Sequence, residues 1–436
     1  MDPILIGIVG IVVLCILLFM GVHVGIALTV VGICGIWAIV GFEQGVSMAI
    51  TTIYGQGTQD IMVIIPLFVF MGLLASEGGI SSNIYRAMSY WVGSFRPALG
   101  IATVISCAAF GAVCGSGTVT AAVFGKVAGP EMRKQGYDKK LAYAICASAG
   151  SLGLFIPPSL FMVFWAMLTD ENPGKLLIGA IGPGILLMIS FSLTIWVMAR
   201  LKPHWVGSAP PPVSWRTRII SLKLFWPVVV VVAIMIVGLT SGVFSPVEAS
   251  AVATIAVLVM TFFMMGKKRW KGIKHGLLEA ATITSMLFLI LCGAMVTSRF
   301  LAISSITPKL LDYIMSLHLS PVSFILAVVV IYLFLGIWLD GIPIVAMTLP
   351  VIYPAVKAMN IDPMWFAMVC TVACQMAGIT PPLGNFVFAA KAVAEPDVSV
   401  EDVFSGSTPF LFSWAMVIIV LLLFPWTATF FSTLVK

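Results

Sequence analysis

Charge is what this sequence has least of. Asp, Glu, Lys and Arg make up 9% of its 436 residues, whereas 61% are hydrophobic. A soluble domain carries about 25% charged and roughly 45–50% apolar residues, so a chain this poor in charge could not cover a core with polar surface. A cytosolic enzyme is thereby excluded. Histidine is also scarce, with four scattered copies. The eight cysteines (Cys15, Cys34, Cys107, Cys114, Cys146, Cys292, Cys370 and Cys374) all fall inside apolar stretches. Neither a zinc site nor a disulfide framework has support, and the cysteines read as small apolar packing residues. No contiguous polar basic face is present, which argues against a nucleic-acid partner. A cleavable signal is missing as well. Met1-Asp2-Pro3 has no basic n-region, and no small-x-small site follows the run to Met20. That run reads as a retained first span.

What the chain has instead is apolar length. A membrane-spanning helix needs roughly 20 apolar residues, and the sequence accommodates about a dozen spans. Several apolar runs, namely 159–169, 344–356 and 383–394, are too short to cross. Irregular backbone between such short runs is tolerated only when buried in protein or lining a wet cavity. Short segments interrupted by Gly and Pro at matching places in two halves point to a transporter's binding site.

The basic residues give an orientation. Seventeen of the 23 Lys and Arg lie in four segments, 77–97, 126–140, 200–223 and 266–275. The positive-inside rule places all four in the cytoplasm and the N-terminus outside. Segments 42–60 and 170–176, with Glu43, Asp60, Asp170 and Glu171, suit the outside. The 29 residues of 98–126 then start and end inside, too few for two full spans and a turn. They are expected to form a re-entrant hairpin with its tip at Cys114-Gly115-Ser116-Gly117-Thr118. From residue 140 the chain climbs, breaks at Ile156-Pro157-Pro158-Ser159, and reaches the outside near Asp170.

An internal repeat supports this. A shift of 224 residues aligns 110–182 with 334–406 without a gap and gives 15 identities. They include Gly117/Gly341, Pro130/Pro354, Asp138/Asp362, Pro157/Pro381, Pro158/Pro382 and Gly182/Gly406. The halves begin on opposite sides, so the repeat is inverted. The sequence therefore predicts an all-α polytopic membrane protein. Its first repeat is 1–199, with scaffold helices in 1–41, a hairpin over 98–126 and a broken helix over 140–170. A Pro-rich, acid-free cytoplasmic linker follows over 200–223. The second repeat is 224–436, with scaffold helices in 224–265, a hairpin over 321–357 and a broken helix over 364–394. The second tip is Asp340-Gly341-Ile342-Pro343, and the second break Gly378-Ile379-Thr380-Pro381-Pro382.

Two tips and two breaks leave unpaired backbone groups. Carbonyls at half-helix C-termini can hold a cation, and N–H groups at N-termini can hold a carboxylate. With the hydroxyls of Ser116, Thr118, Ser159 and Thr380, such neutral oxygens suit Na⁺ better than a transition metal. The candidate Na⁺ positions are Gly115, Ser116, Thr118, Gly150, Pro157, Gly341, Gly378, Thr380 and Pro381. The bland alternative is that the small residues only permit close helix packing. Candidate substrate positions are Arg299, Asp340, Ser159 and Asn385. Arg299 is either a carboxylate clamp or a snorkelling interfacial residue. Asp340 either caps the second arm of its hairpin or meets an ion or substrate directly.

Several of these stretches resemble the large membrane subunit of tripartite ATP-independent periplasmic (TRAP) transporters. They are Gly115-Ser116-Gly117-Thr118 with Ala121-Ala122, Pro130-Glu131-Met132 with Gly136-Tyr137-Asp138, Ile156-Pro157-Pro158-Ser159, and Gly378-Ile379-Thr380-Pro381-Pro382-Leu383-Gly384. The first tip departs from the Gly-Ser-Ser common in that family and has one hydroxyl fewer. Thr118 and Thr120 are candidates to replace it. The resemblance implies an elevator-type secondary transporter of the ion transporter superfamily, in a bacterial inner membrane, importing an organic acid with Na⁺. C4-dicarboxylates and sialic acid are frequent cargoes of that family. It also implies two partners, a periplasmic substrate-binding protein and a small four-helix membrane subunit, the latter not expected to be fused because the chain starts at its first span. Arg299 and Asp340 match positions near the family's substrate path. A single-component Na⁺/anion symporter is the nearest alternative. A membrane-embedded enzyme would need a constellation of His, Asp or Ser-Lys at membrane depth, and a channel fits closed hairpin tips poorly.

Overall fold

The computed structural model describes residues 2–435. Met1, Lys436 and the side chain of Lys268, which the sequence counts as cytoplasmic, lie outside the described part. The described residues form helices joined by short connections, without a strand among them. Seven helical stretches are long and apolar enough to cross a membrane.

The first half begins with α1 (Pro3–Phe19), α2 (Val24–Val40), α3 (Phe42–Gly57), α4 (Ile64–Glu77) and α5 (Ile80–Val92). A hairpin follows, α6 (Ala98–Cys114) and α7 (Gly117–Lys134). Next comes the broken helix, α8 (Lys139–Gly150) and α9 (Leu160–Thr169), then α10 (Pro173–Gly179) and α11 (Ile181–Leu201). A short surface helix, α12 (Trp215–Ser221), bridges to the second half, and Trp91 Nε1 donates to Arg218 O at 2.9 Å to hold it on α5.

The second half repeats the pattern. α13 (Trp226–Val232), α14 (Gly238–Ser241), α15 (Pro246–Met264), α16 (Arg269–Ile303) and α17 (Ile306–Ser316) precede a hairpin of α18 (Pro321–Leu335) and α19 (Gly341–Ala358). The second broken helix is α20 (Pro363–Ala377) and α21 (Asn385–Ala392), followed by α22 (Val400–Leu423) and α23 (Trp426–Thr429). Two helical hairpins and two broken helices thus recur in the same order in both halves.

The identities between halves have local causes. Asp138 and Asp362 each cap their broken helix. Asp138 Oδ1 accepts from Lys140 N at 2.8 Å, and Asp362 Oδ1 accepts from Met364 N at 2.8 Å and Trp365 N at 3.0 Å. Such a cap satisfies N–H groups that the helix cannot pair itself. Gly136 (φ +89°) and Asn360 (φ +51°), also related by the repeat, end the second hairpin arms in the left-handed region, which Gly and Asn tolerate best.

Where the structure differs from an apolar-run reading, amphipathicity is the reason. Residues 42–60 and 77–97 lie between the apolar runs, yet α3 and α5 are helices. α5 buries Ile80, Ser81, Ile84, Tyr85 and Ala87 on one face, a spacing of three and four that apolar content alone does not reveal.

One close-packed seam joins α2 and the long α16. A Cβ on Gly32 would stand 2.8 Å from Thr297 N, and one on Gly25 2.9 Å from Ile290 N. Thr297 Oγ1 donates to Leu28 O across the seam at 2.7 Å. In lipid, where apolar burial gives helices no mutual drive, small residues and such hydrogen bonds hold them together. Gly32→Ala is expected to cost about 1–3 kcal/mol by overpacking the seam, read as a lower melting temperature in detergent. Gly55→Ala, with no atom within 4 Å of the added Cβ, serves as the unchanged control.

Candidate functional site

The first tip is closed by its own turn and by the first break. Gly115 (φ +66°) takes the left-handed conformation, which lets its N–H reach Gly111 O at 3.0 Å. Its carbonyl accepts from Leu160 N at 3.2 Å, so the tip satisfies the first residue after the break. A Cβ on Gly115 would stand 2.8 Å from Pro158 O, which explains the glycine. Ser116 Oγ and Thr118 Oγ1 are 3.2 Å apart, and Thr120 Oγ1 donates to Ser116 O at 2.7 Å.

Across the first break, Ser159 Oγ donates to Leu154 O at 2.6 Å and accepts from Met162 N at 3.3 Å. Its hydroxyl is consumed in stitching the broken backbone. Pro157, Pro158 and Ser159 are buried. Gly150 packs on the hairpin, since a Cβ there would stand 2.5 Å from Ala121 Cβ. Sequence reasoning missed Ser148, half a turn earlier on α8, whose buried hydroxyl has no partner. A lone Ser in an apolar helix gave no signal.

The second tip and break meet through Asp340 and Asn385. Asp340 Oδ1 accepts from Gly341 N at 2.8 Å, capping α19, and from Asn385 Nδ2 at 2.6 Å. Asn385 Oδ1 in turn accepts from Phe386 N at 2.9 Å, the start of α21. Phe386 N also donates to Gly378 O at 3.1 Å, and Thr380 Oγ1 donates to Met376 O at 3.0 Å. One carboxylate and one amide therefore join two helix N-termini, where the dipole favours negative charge. Unlike the first break, Pro381 and Pro382 are exposed, as is Asp340.

The halves interlock at these points. A Cβ on Gly117, in the first tip, would meet Phe386 Cε1 at 2.7 Å, and one on Gly341, in the second tip, would meet Phe161 Cε2 at 3.1 Å. Each tip thus lies against the broken helix of the other half. Charged residues far from the breaks repeat the exchange. Arg133, at the end of α7, pairs with Glu395 and donates to Asp397 at 2.7 and 3.0 Å. Lys357, the repeat mate of Arg133, lies 4.9 Å from the Tyr353 ring, and Tyr353 donates to Glu171, the repeat mate of Glu395.

Arg299 stands elsewhere. It lines a cavity of about 520 Å³ between α3 and α16, with Thr52, Gln56, Gln59 and Ser298 among its neighbours. No tip or break residue lines that cavity.

Paired hairpins and helices broken at their centres, with polar groups gathered at the breaks, define a membrane transporter. The chain belongs to the TRAP transporter family as its large permease. The family model for the tripartite ATP-independent periplasmic transporter DctM component matches residues 11–427. It is 32% identical over 333 residues to the C4-dicarboxylate TRAP transporter large permease protein DctM of Pseudomonas aeruginosa, covering 76% of this chain and 77% of that one. It is 25% identical over 421 residues to the ectoine TRAP transporter large permease protein TeaC of Halomonas elongata, covering 96% and 97%. The sialic acid TRAP transporter permease protein SiaT of Haemophilus influenzae is 25% identical over 375 residues, 86% of this chain and 60% of that one. The YdaH transporter of Alcanivorax borkumensis shares the fold, with a TM-score of 0.60 at 16% identity over 88% and 90% of the two chains. These relatives are named as permeases, and the chain is a multi-pass membrane transporter subunit rather than an enzyme. The family works with a small membrane subunit and a periplasmic binding protein.

Two tests follow. Asn caps a helix about as well as Asp, so Asp340→Asn separates capping from charge. Retained transport with an unchanged melting temperature indicates a cap. A large loss of transport at unchanged stability indicates that the carboxylate meets cargo or ion. Asp397 concerns folding. Its hydrogen bond from Arg133, aided by the charges of Arg133 and Lys139, holds its carboxyl below the usual range. Its contribution is present above the ordinary aspartate value of about 3.9 and fades as pH falls through the lowered folded value. Asp397→Asn should therefore lower the melting temperature at pH 7, and the difference should shrink below about pH 4.

Proposed function

We propose that this chain is the permease of a binding-protein-dependent secondary transporter that imports an organic acid with Na⁺ by an elevator movement. The observation that carries the reading is the reciprocal packing of each tip on the other half's broken helix. It makes hairpins and broken helices one body that can shift as a unit against the α2–α16 scaffold. Na⁺ would be held by neutral oxygens near the breaks, from Gly115, Ser116 and Thr118 on one side and Gly341, Gly378 and Thr380 on the other. Gly150, Pro157 and Pro381 would shape those positions.

A carboxylate cargo suits the four half-helix N-termini that start at the tips and breaks, and the relatives' names include C4-dicarboxylate and sialic acid. Occupying ion and cargo sites built on the same elements stabilises one position of the moving body, which is what coupling requires. The N-terminus lies on the periplasmic side in this reading. The binding protein docks near 42–60, 299–320 and 357–363, where the Arg299 cavity receives released carboxylate as it passes to the Asp340–Asn385 pair.

The test is uptake into proteoliposomes containing the chain, its small membrane subunit and its binding protein. A Na⁺ gradient should drive uptake, and removing either Na⁺ or binding protein should abolish it. Arg299→Ala should lower uptake about tenfold or more, the loss of one charge-assisted hydrogen-bonding partner, while Na⁺ binding stays intact. Uptake indifferent to Na⁺ would sink the coupling. Uptake without any binding protein would favour a single-component symporter.

A further inference from the structure

A cavity of about 670 Å³ lies between α11 and α22, away from both tips and both breaks. Its wall is one face of each helix. Leu193, Val197 and Leu201 come from α11, and Pro409, Phe412 and Met416 from α22. Phe412 is 76% exposed and Leu201 73%, so the groove opens sideways and is not sealed by protein. From Leu201 back to Ser190 it follows α11 for about 16 Å, close to the depth of one leaflet of a hydrocarbon core about 30 Å thick.

The two ends of the groove differ. Its deep end has Ser190 and Thr194, whose hydroxyls are spent on Ser413. Ser190 Oγ donates to Ser413 O at 3.4 Å, and Thr194 Oγ1 lies 2.5 Å from Ser413 Oγ. No polar group is left there for a partner, and the surface is effectively apolar. Its mouth holds Lys202 and the exposed hydroxyls of Ser405 and Thr408. Lys202 Nζ lies 4.1 Å from the ring of Trp205, which also lines the groove. Among the described residues Lys202 has no carboxylate partner, and no acid lines the groove.

We propose that this groove is a binding site for one anionic phospholipid, with an acyl chain along α11 and α22 and its phosphate at Lys202. Charge complementarity selects the occupant. An apolar slot one leaflet deep would accept any acyl chain or a neighbouring helix, whereas an unpaired cation at its mouth favours a negative headgroup. The Trp205 ring holds Lys202 at the interfacial level where such a headgroup sits. The site rides on the body that carries both breaks, because α22 packs on α8. A Cβ on Gly406 would stand 2.2 Å from Lys140 O.

The experiment is native mass spectrometry of the full chain, titrated with equal amounts of phosphatidylglycerol and phosphatidylcholine. The wild type should retain one phosphatidylglycerol at least about fivefold more than phosphatidylcholine, the preference expected for one basic group near the surface. Lys202→Gln should reduce that preference about fivefold. Met416→Trp, which fills the apolar half from an exposed position, should reduce retention of both lipids. Melting temperatures of both variants should stay at the wild-type value, which separates loss of lipid from loss of fold. Equal retention of the two lipids, or a preference untouched by Lys202→Gln, overturns the proposal. So does a dimer of the chain that Met416→Trp dissolves, since a second copy would then be the occupant.

Discussion

The rest of the structure depends on satisfying broken backbone inside a membrane. Hydrocarbon offers no hydrogen bonds, and each unpaired N–H or C=O costs several kcal/mol there. The chain breaks two helices and turns two hairpins in that environment. It does so by closing each irregular stretch with groups that another irregular stretch leaves open. Gly115 O takes the N–H of Leu160, and Asp340 and Asn385 serve the starts of α19 and α21 together. The tip and the break of each half are thereby bonded to one another.

Much of that was legible in the sequence because breaks in a membrane require particular residues. Pro157-Pro158 and Pro381-Pro382 end helices whatever surrounds them. Gly115 must take a positive φ, and Gly117 and Gly341 must admit a phenyl ring from the other half. These demands are local and therefore readable.

What could not be read depends on distance along the chain. Arg133 and Glu395 are 262 residues apart, and each by itself looks like one more charge at the end of a segment. Only the fold brings them together, and only then does the shared shift of 224 link them to Lys357 and Glu171. The amphipathic helices α3, α5 and α17 escaped for lack of apolar content. Arg299 stands out in the sequence as a charge directly after an apolar run, but its neighbours on α3 lie about 240 residues earlier in the chain, so its cavity had no sequence signature.

The scarcity of charge has a physical consequence for the body that carries the breaks. The broken helix α8–α9 begins at Lys139, which pairs with Asp402 at 2.7 Å beside the Arg133 cluster. It ends at Thr169, beside Glu171 and its Tyr353 and Lys357 partners. The paired charges therefore occupy the two ends of this body, where water or headgroups can solvate them. Between the ends, Asp340 is the carboxylate at the breaks, and it is already bonded to Asn385 and to a helix N-terminus. An unpaired charge at the bilayer centre costs about 2.5 kcal/mol or more. A body whose paired charges sit at its ends and whose carboxylate at the breaks is bonded avoids that cost. The same composition that rules out a soluble protein is thus what lets this one place a polar site inside the bilayer.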